Sequence, residues 1–150
     1  MSAFAETSFV FAFYFPRAVS EQALVKMQSL SAPPFISSLV RHEFQQAVWF
    51  EVWRRANGQL RGLTQTDAQT GLAAFDLDLE QGVWHTARPD WESVIVRAGR
   101  LTVDHTPRSG ARVLDILHVA TAIELEMTEF LTFDLVQGRI AATEGLAASP

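Results

Sequence analysis

Arg112-Val113-Leu114-Asp115-Ile116-Leu117-His118-Val119-Ala120-Thr121-Ala122, followed by Phe130-Leu131-Thr132-Phe133-Asp134, decides how the rest of this 150-residue chain is read. The first segment has the length and apolar density of a buried helix, the second those of a short buried strand, and each carries one carboxylate. An ionised Asp in apolar surroundings is costly unless it pairs, hydrogen-bonds, shifts its pKa or holds a metal. Two further acids share the setting. Glu6 precedes the aromatic run Phe9-Val10-Phe11-Ala12-Phe13-Tyr14-Phe15, and Glu43 lies in Phe35-Ile36-Ser37-Ser38-Leu39-Val40-Arg41-His42-Glu43-Phe44.

Working outward from that stretch, short strands alternate with helices. Residues 2–5 read as a first strand, with Thr7 or Ser8 capping a helix that Pro16 ends; Ser20 to Leu30 then has helical spacing. After Pro33-Pro34, Phe35-Ile36-Ser37 suits a buried strand. Ser38 is placed to cap a long helix that Asn57-Gly58 stops. Thr66 opens a helix through about Glu80, Val83 to Thr86 is a strand, and Asp90 caps a helix through Arg100 that gives way to a loop containing Pro107 and Gly110. Arg112 to Met127 is the next helix, Phe130 to Phe133 the next strand and Leu135 to Glu144 the last helix, with a brief strand after Gly145. Such alternation predicts an α/β domain over residues 1–150, a three-layer α/β/α arrangement around a short parallel sheet. In a sheet of that kind the ligand crevice lies beyond the carboxyl ends of the strands, where Glu6 and Asp134 are expected, with Asp115 and Glu43 leaning over it from helices.

Composition narrows the chemistry. With 48% hydrophobic and 19% charged residues the chain is able to bury a core, and no apolar run reaches the roughly 20 residues of a membrane helix, so a soluble, cytoplasmic protein is expected. The absence of cysteine excludes disulfides, thiolate zinc sites and cysteine nucleophiles. A net charge of −5 speaks against a simple polyanion binder, but two divalent cations in a carboxylate cluster would nearly cancel it. Lys26 is the one lysine, and arginine, the better fork for phosphate oxygens, supplies the other cations.

Carboxylates are the preferred ligands of hard cations. Mg²⁺ takes one or two of them and fills its octahedron with waters and substrate phosphate oxygens, which suits phosphodiester hydrolysis. Each acid alone also suits a helix cap or an arginine partner; the four together point to a site. His118, one turn beyond Asp115, either hydrogen-bonds a carboxylate or fills space. Thr7, Ser8 and Thr132 sit beside the acids, where hydroxyls orient carboxylates or cap helices. Trp49 and Trp53, with Phe50 beside them, read as core or as a partner interface before a base-stacking platform. Arg54, Arg55 and Arg61 read as a solvated helix end, and Arg97, Arg100, Arg108 and Arg112 as surface with some able to meet RNA phosphate. His42, His85 and His105 show no metal-ligand spacing.

Glu6-Thr7-Ser8, Ser37 through Glu43-Phe44, Arg112 through Ala122, Phe130 through Asp134 and the tail from Asp134 to Leu146 resemble a PIN domain, especially the VapC-type toxins of prokaryotic toxin–antitoxin pairs. The resemblance implies a Mg²⁺- or Mn²⁺-dependent endoribonuclease that hydrolyses RNA with a metal-activated water, is commonly a homodimer, and is held in check by a cognate antitoxin. The family's acidic positions carry over to Glu43, Asp115 and Asp134, and Glu6 stands where the family usually has Asp. That departure leaves a second expectation, a weakened or inactive domain that binds RNA or an antitoxin. A phosphoacceptor domain also uses acids beyond parallel strands, but no lysine is suitably placed near the terminus.

Overall fold

The computed structural model describes residues 1–59 and 61–150. Among them, five three-residue strands, β1 (Ala3–Ala5), β2 (Phe35–Ser37), β3 (His85–Ala87), β4 (Glu129–Leu131) and β5 (Ala147–Ser149), form one sheet in the order β3-β2-β1-β4-β5. All neighbours are parallel, with Phe4 in register with Phe35 on one side and Phe130 on the other. Strands covered on both faces need apolar side chains in both directions, and Phe4, Ala5, Ile36, Phe130 and Leu131 are wholly buried. The exposed strand residues fall on the outer strands, where His85, Thr86, Ala147 and Ala148 reach solvent.

The helices are α1 (Thr7–Tyr14), α2 (Ser20–Ser29), α3 (Ser38–Ala56), α4 (Gln65–Glu80), α5 (Trp91–Ser109), α6 (Val113–Glu124) and α7 (Leu135–Thr143). From β1 the chain moves outward through β2 to β3, then jumps back across to β4 and outward to β5. Right-handed crossovers in opposite directions put helices on opposite faces, and α1 to α4 pack on one another while α5, α6 and α7 pack on one another. The expected α/β/α layering is therefore observed. Among the described residues no helix is long and apolar enough to cross a membrane.

Several local expectations are corrected. Glu6 caps α1, not Thr7 or Ser8, because Glu6 is the last extended residue and its side chain reaches back to the first free N–H groups. By the same geometry Ser37 rather than Ser38 caps α3, accepting from Val40 N at 3.2 Å. Helix α4 begins before Thr66, since Thr64 and Asp67 bond reciprocally as a capping box. Helix α5 runs through Pro107 to Ser109 instead of ending near Arg100: proline near the C-terminus forfeits one bond, Val94, Ala98 and Leu101 are buried, and Gly110, at φ 68°, supplies the left-handed stop. Helix α6 ends at Glu124, short of Met127, where Glu126 takes φ 53°. Strand β4 ends at Leu131, leaving Thr132 and Phe133 in the turn before Asp134, and β3 begins at His85 rather than Val83.

Apolar almost all round, α1 buries Phe9, Val10, Phe11 and Ala12. Beyond its end, Phe15 presses on α4 so closely that a Cβ on Gly71 would stand 2.2 Å from the ring. Trp49 and Trp53 are not core. With Phe50 they are exposed on α3, at 42%, 56% and 50% respectively.

Candidate active site

The sheet order reverses direction between β1 and β4, and a crevice opens at such a point beyond the strand ends. Glu6 follows β1 directly and Asp134 follows β4 by a short turn, while Glu43 stands in the second turn of α3 and Asp115 in the first turn of α6. All four line one cleft of about 730 Å³, together with Thr7, Ser8 and Gln137.

Each acid is anchored by local backbone logic. Glu6 is 1% exposed, and its Oε1 accepts from Ser8 N at 3.0 Å, Phe9 N at 3.3 Å and the Ser8 hydroxyl. Burial pushes its carboxyl above the usual range, against the lowering effect of the Ser8 bonds. Asp134 caps α7, its Oδ1 accepting from Val136 N at 2.8 Å and Gln137 N at 2.9 Å. Asp115 accepts the Arg112 backbone N–H on Oδ2 at 2.7 Å, closing the start of α6. Glu43 has no cap to serve; its Oε2 accepts from the Thr7 hydroxyl and lies 2.5 Å from His118 Nε2. Burial pushes Glu43 up, but the bonds from His118 and Thr7 together with the His118 charge outweigh it and hold the carboxyl below its usual range.

The second oxygens are less committed. Asp115 Oδ1 and Glu6 Oε2 each meet the amide of Gln137, at 3.3 Å and 3.4 Å, and among the described residues Glu43 Oε1 and Asp134 Oδ2 make no hydrogen bond. The supporting residues fall where their neighbours require. Ser8 Oγ accepts from Phe133 N at 2.9 Å while donating to Glu6, so it ties α1 to the turn after β4. Thr132 Oγ1 accepts from Asp134 N at 2.9 Å and sets that turn. His118, fully buried, meets Glu43 across the helices rather than Asp115 on its own, and its Nδ1 is buried without a hydrogen-bond partner among the described residues.

As they stand, no three described Asp, Glu or His side chains gather into a ready-made metal cage. The donor set nevertheless fits a hard cation that draws one or two carboxylates from the protein and the rest of its shell from water and substrate. Three cleft residues escaped the reading of the sequence: Arg17, Glu51 and Gln137. Gln137 had a legible signal, since it occupies the same buried helical stripe as Ile140 and Ala141, where a polar side chain is out of pattern. Arg17, which follows a helix-ending proline, offered none.

No family model matches the sequence, and no curated protein matches it. Solved structures do resemble it over nearly its whole length. VapC20 of Mycobacterium tuberculosis, described as a sarcin-ricin loop cleaving toxin, superposes with a TM-score of 0.67 at 20% identity, covering 99% of each chain. A chain of FitAcB from Neisseria gonorrhoeae gives 0.61 at 15% identity over 100% of this chain and 97% of that one. A chain of VapBC2 from Rickettsia felis, solved on a DNA fragment from its promoter, gives 0.62 at 16% identity over 99% and 97%. At identities this low the likeness speaks for the fold, and it agrees with the parallel sheet, its strand order and the two helical layers: the chain shares the fold of the VapC20, FitAcB and VapBC2 chains.

Proposed function

We propose that this chain is a Mg²⁺- or Mn²⁺-dependent endoribonuclease, the toxin of a toxin–antitoxin pair, working in the cytoplasm on RNA phosphodiesters with Glu6, Glu43, Asp115 and Asp134 as its acidic site. One observation carries the reading: four carboxylates from four different elements line one cleft, each held through one oxygen with the other weakly bonded or unbonded. Structural acids are normally consumed by their partners, whereas these keep oxygen ligands in reserve. A bound divalent cation would supply an acidified water and offset charge on the phosphoryl oxygens. Glu43 is kept ionised and oriented by His118 and Thr7, and Asp134 is fixed by the first N–H groups of α7.

Arg17 and Arg112 line the same cleft and give an otherwise acidic site its cationic contacts for RNA phosphate. The Arg17 guanidinium lies 4.7 Å from the Phe11 ring centroid and 3.5 Å from Glu51, so it reaches substrate with part of its orientation already set. RNA as the substrate class is also supported by the cleaving activity named for VapC20. A protein partner is supported by exposed Phe50, which lines the cleft and stacks on Trp53 at 5.4 Å; this aromatic rim suits a cognate antitoxin, and a homodimer is the expected assembly.

The test is cleavage of structured RNA by the purified chain with Mn²⁺ and with chelator. Glu43→Gln and Asp115→Asn, each checked for native circular dichroism, are expected to lose more activity than the ~10–100-fold typical of supporting residues. Metal-independent cleavage, or full activity in both variants, overturns the proposal.

A further inference from the structure

Gln137 touches three of the four acids. Its backbone N–H donates to Asp134 Oδ1 at 2.9 Å, and its Nε2 lies 3.4 Å from Glu6 Oε2 and 3.3 Å from Asp115 Oδ1. The residue is 5% exposed, on the inward side of α7, and its Oε1 is buried with no hydrogen-bond partner among the described residues. Leaving a buried amide oxygen unpaired is costly, so the orientation needs a cause. The two carboxylates provide it: the opposite orientation would aim Oε1 at both of them, while the observed one places the positive end of the amide dipole between two negative groups. The N–H₂ stands where a cation's charge would stand.

Once a divalent cation occupies that space the preference inverts. The amide hydrogens would face a like charge, and the unpaired carbonyl oxygen is the kind of ligand a hard cation takes. We propose that Gln137 is a fifth residue of the site: its amide bridges Glu6 and Asp115 without metal and, by a half-turn about its last side-chain torsion, presents Oε1 to the bound divalent cation. This rests on the divalent-cation reading above and adds a ligand and a positioning role to it. The bridge keeps two repelling carboxylates in place, so the cleft does not spread between turnovers.

Calorimetric titration with MnCl₂ and thermal unfolding with and without Mn²⁺, on the wild type, Gln137→Met and Gln137→Glu, test it. Gln137→Met keeps the side chain's length and loses both amide groups; it is expected to bind Mn²⁺ about 10-fold or more weakly and to melt lower without metal. Gln137→Glu keeps an oxygen ligand and adds a third repelling charge; it is expected to bind Mn²⁺ at least as tightly as wild type, to melt lower without metal, and to gain more from Mn²⁺ than either other protein. Wild-type Mn²⁺ affinity in Gln137→Met, or a higher one, overturns the role of Gln137 and leaves the divalent-cation reading standing. No Mn²⁺ binding by the wild type at millimolar metal overturns both.

Discussion

Tyr14 anchors the end of α1 opposite the site, and its removal has a calculable cost. The Trp84 Nε1–H donates to the Tyr14 hydroxyl at 2.6 Å, and that hydroxyl donates to Asp78 Oδ2 at 2.6 Å. Tyr14→Phe opens no cavity but leaves the indole N–H of Trp84, a 1%-exposed residue, without an acceptor, which costs ~1–3 kcal/mol. Asp78 is half-buried and recovers water, so its lost bond adds only about 1 kcal/mol. The sum is about 2–4 kcal/mol, or a melting temperature lower by roughly 6–12 °C for a chain of this length. Thermal unfolding followed by circular dichroism measures it; Trp84→Phe has a cavity cost of its own at this buried site, but in that background the further loss on Tyr14→Phe should shrink, because the orphaned donor is gone.

A second readout comes free, because Tyr14 is the only tyrosine. Burial first, then the bond to Asp78, push its phenol well above the ordinary range. A folded pKa above the unfolded value of ~10 means that this contribution is fully present below pH ~10 and is lost as pH rises beyond it. Phenolate absorbance should therefore appear together with loss of native dichroism. A phenol that titrates near pH 10 in a chain still folded, or a Tyr14→Phe protein that melts with wild type, refutes the account.

Three further outcomes follow from packing and capping. Glu6→Asp should stay within about 1 kcal/mol of wild type because aspartate caps a helix well, whereas Glu6→Ala should lose ~1–2 kcal/mol; a denaturant series ranking them the other way would show that capping is not what Glu6 contributes. Lys26→Met leaves Glu129, 7% exposed at its side chain, with only the Ser149 hydroxyl among the described side chains, and should cost about 2–4 kcal/mol, most of it recovered by adding Glu129→Gln. Gly71→Ala should destabilise by ~1–3 kcal/mol through collision with Phe15, reversing the gain that alanine brings to an exposed helix; an increase in the denaturation midpoint would contradict the close packing of α1 on α4.

The alternation of elements was legible because buried strands such as Phe35–Ser37 and helices such as Val113–Glu124 differ in length and period, and those are local properties. Their ends were less legible. Pro107 reads as a breaker, yet α5 runs two residues past it, because so near the helix end it forfeits only one bond before Gly110 stops the helix. The caps at Glu6, Ser37 and Thr64 depend on which residue is last in extended conformation, a detail composition does not carry.

The acids followed the same division. That Glu6, Glu43, Asp115 and Asp134 are exceptional was written in the chain, since a charge in an apolar segment requires a partner wherever the segment goes. Which partners they have was not. His118 meets Glu43 across 75 positions and Gln137 reaches Glu6 across 131, and such pairings follow from strand order, which brings the ends of β1 and β4 side by side. Period and polarity act over one turn or one strand, so they place each carboxylate on its element; only long-range packing of two helical layers on a parallel sheet brings the elements' ends to one cleft and sets which oxygen of each acid is spent and which is spare.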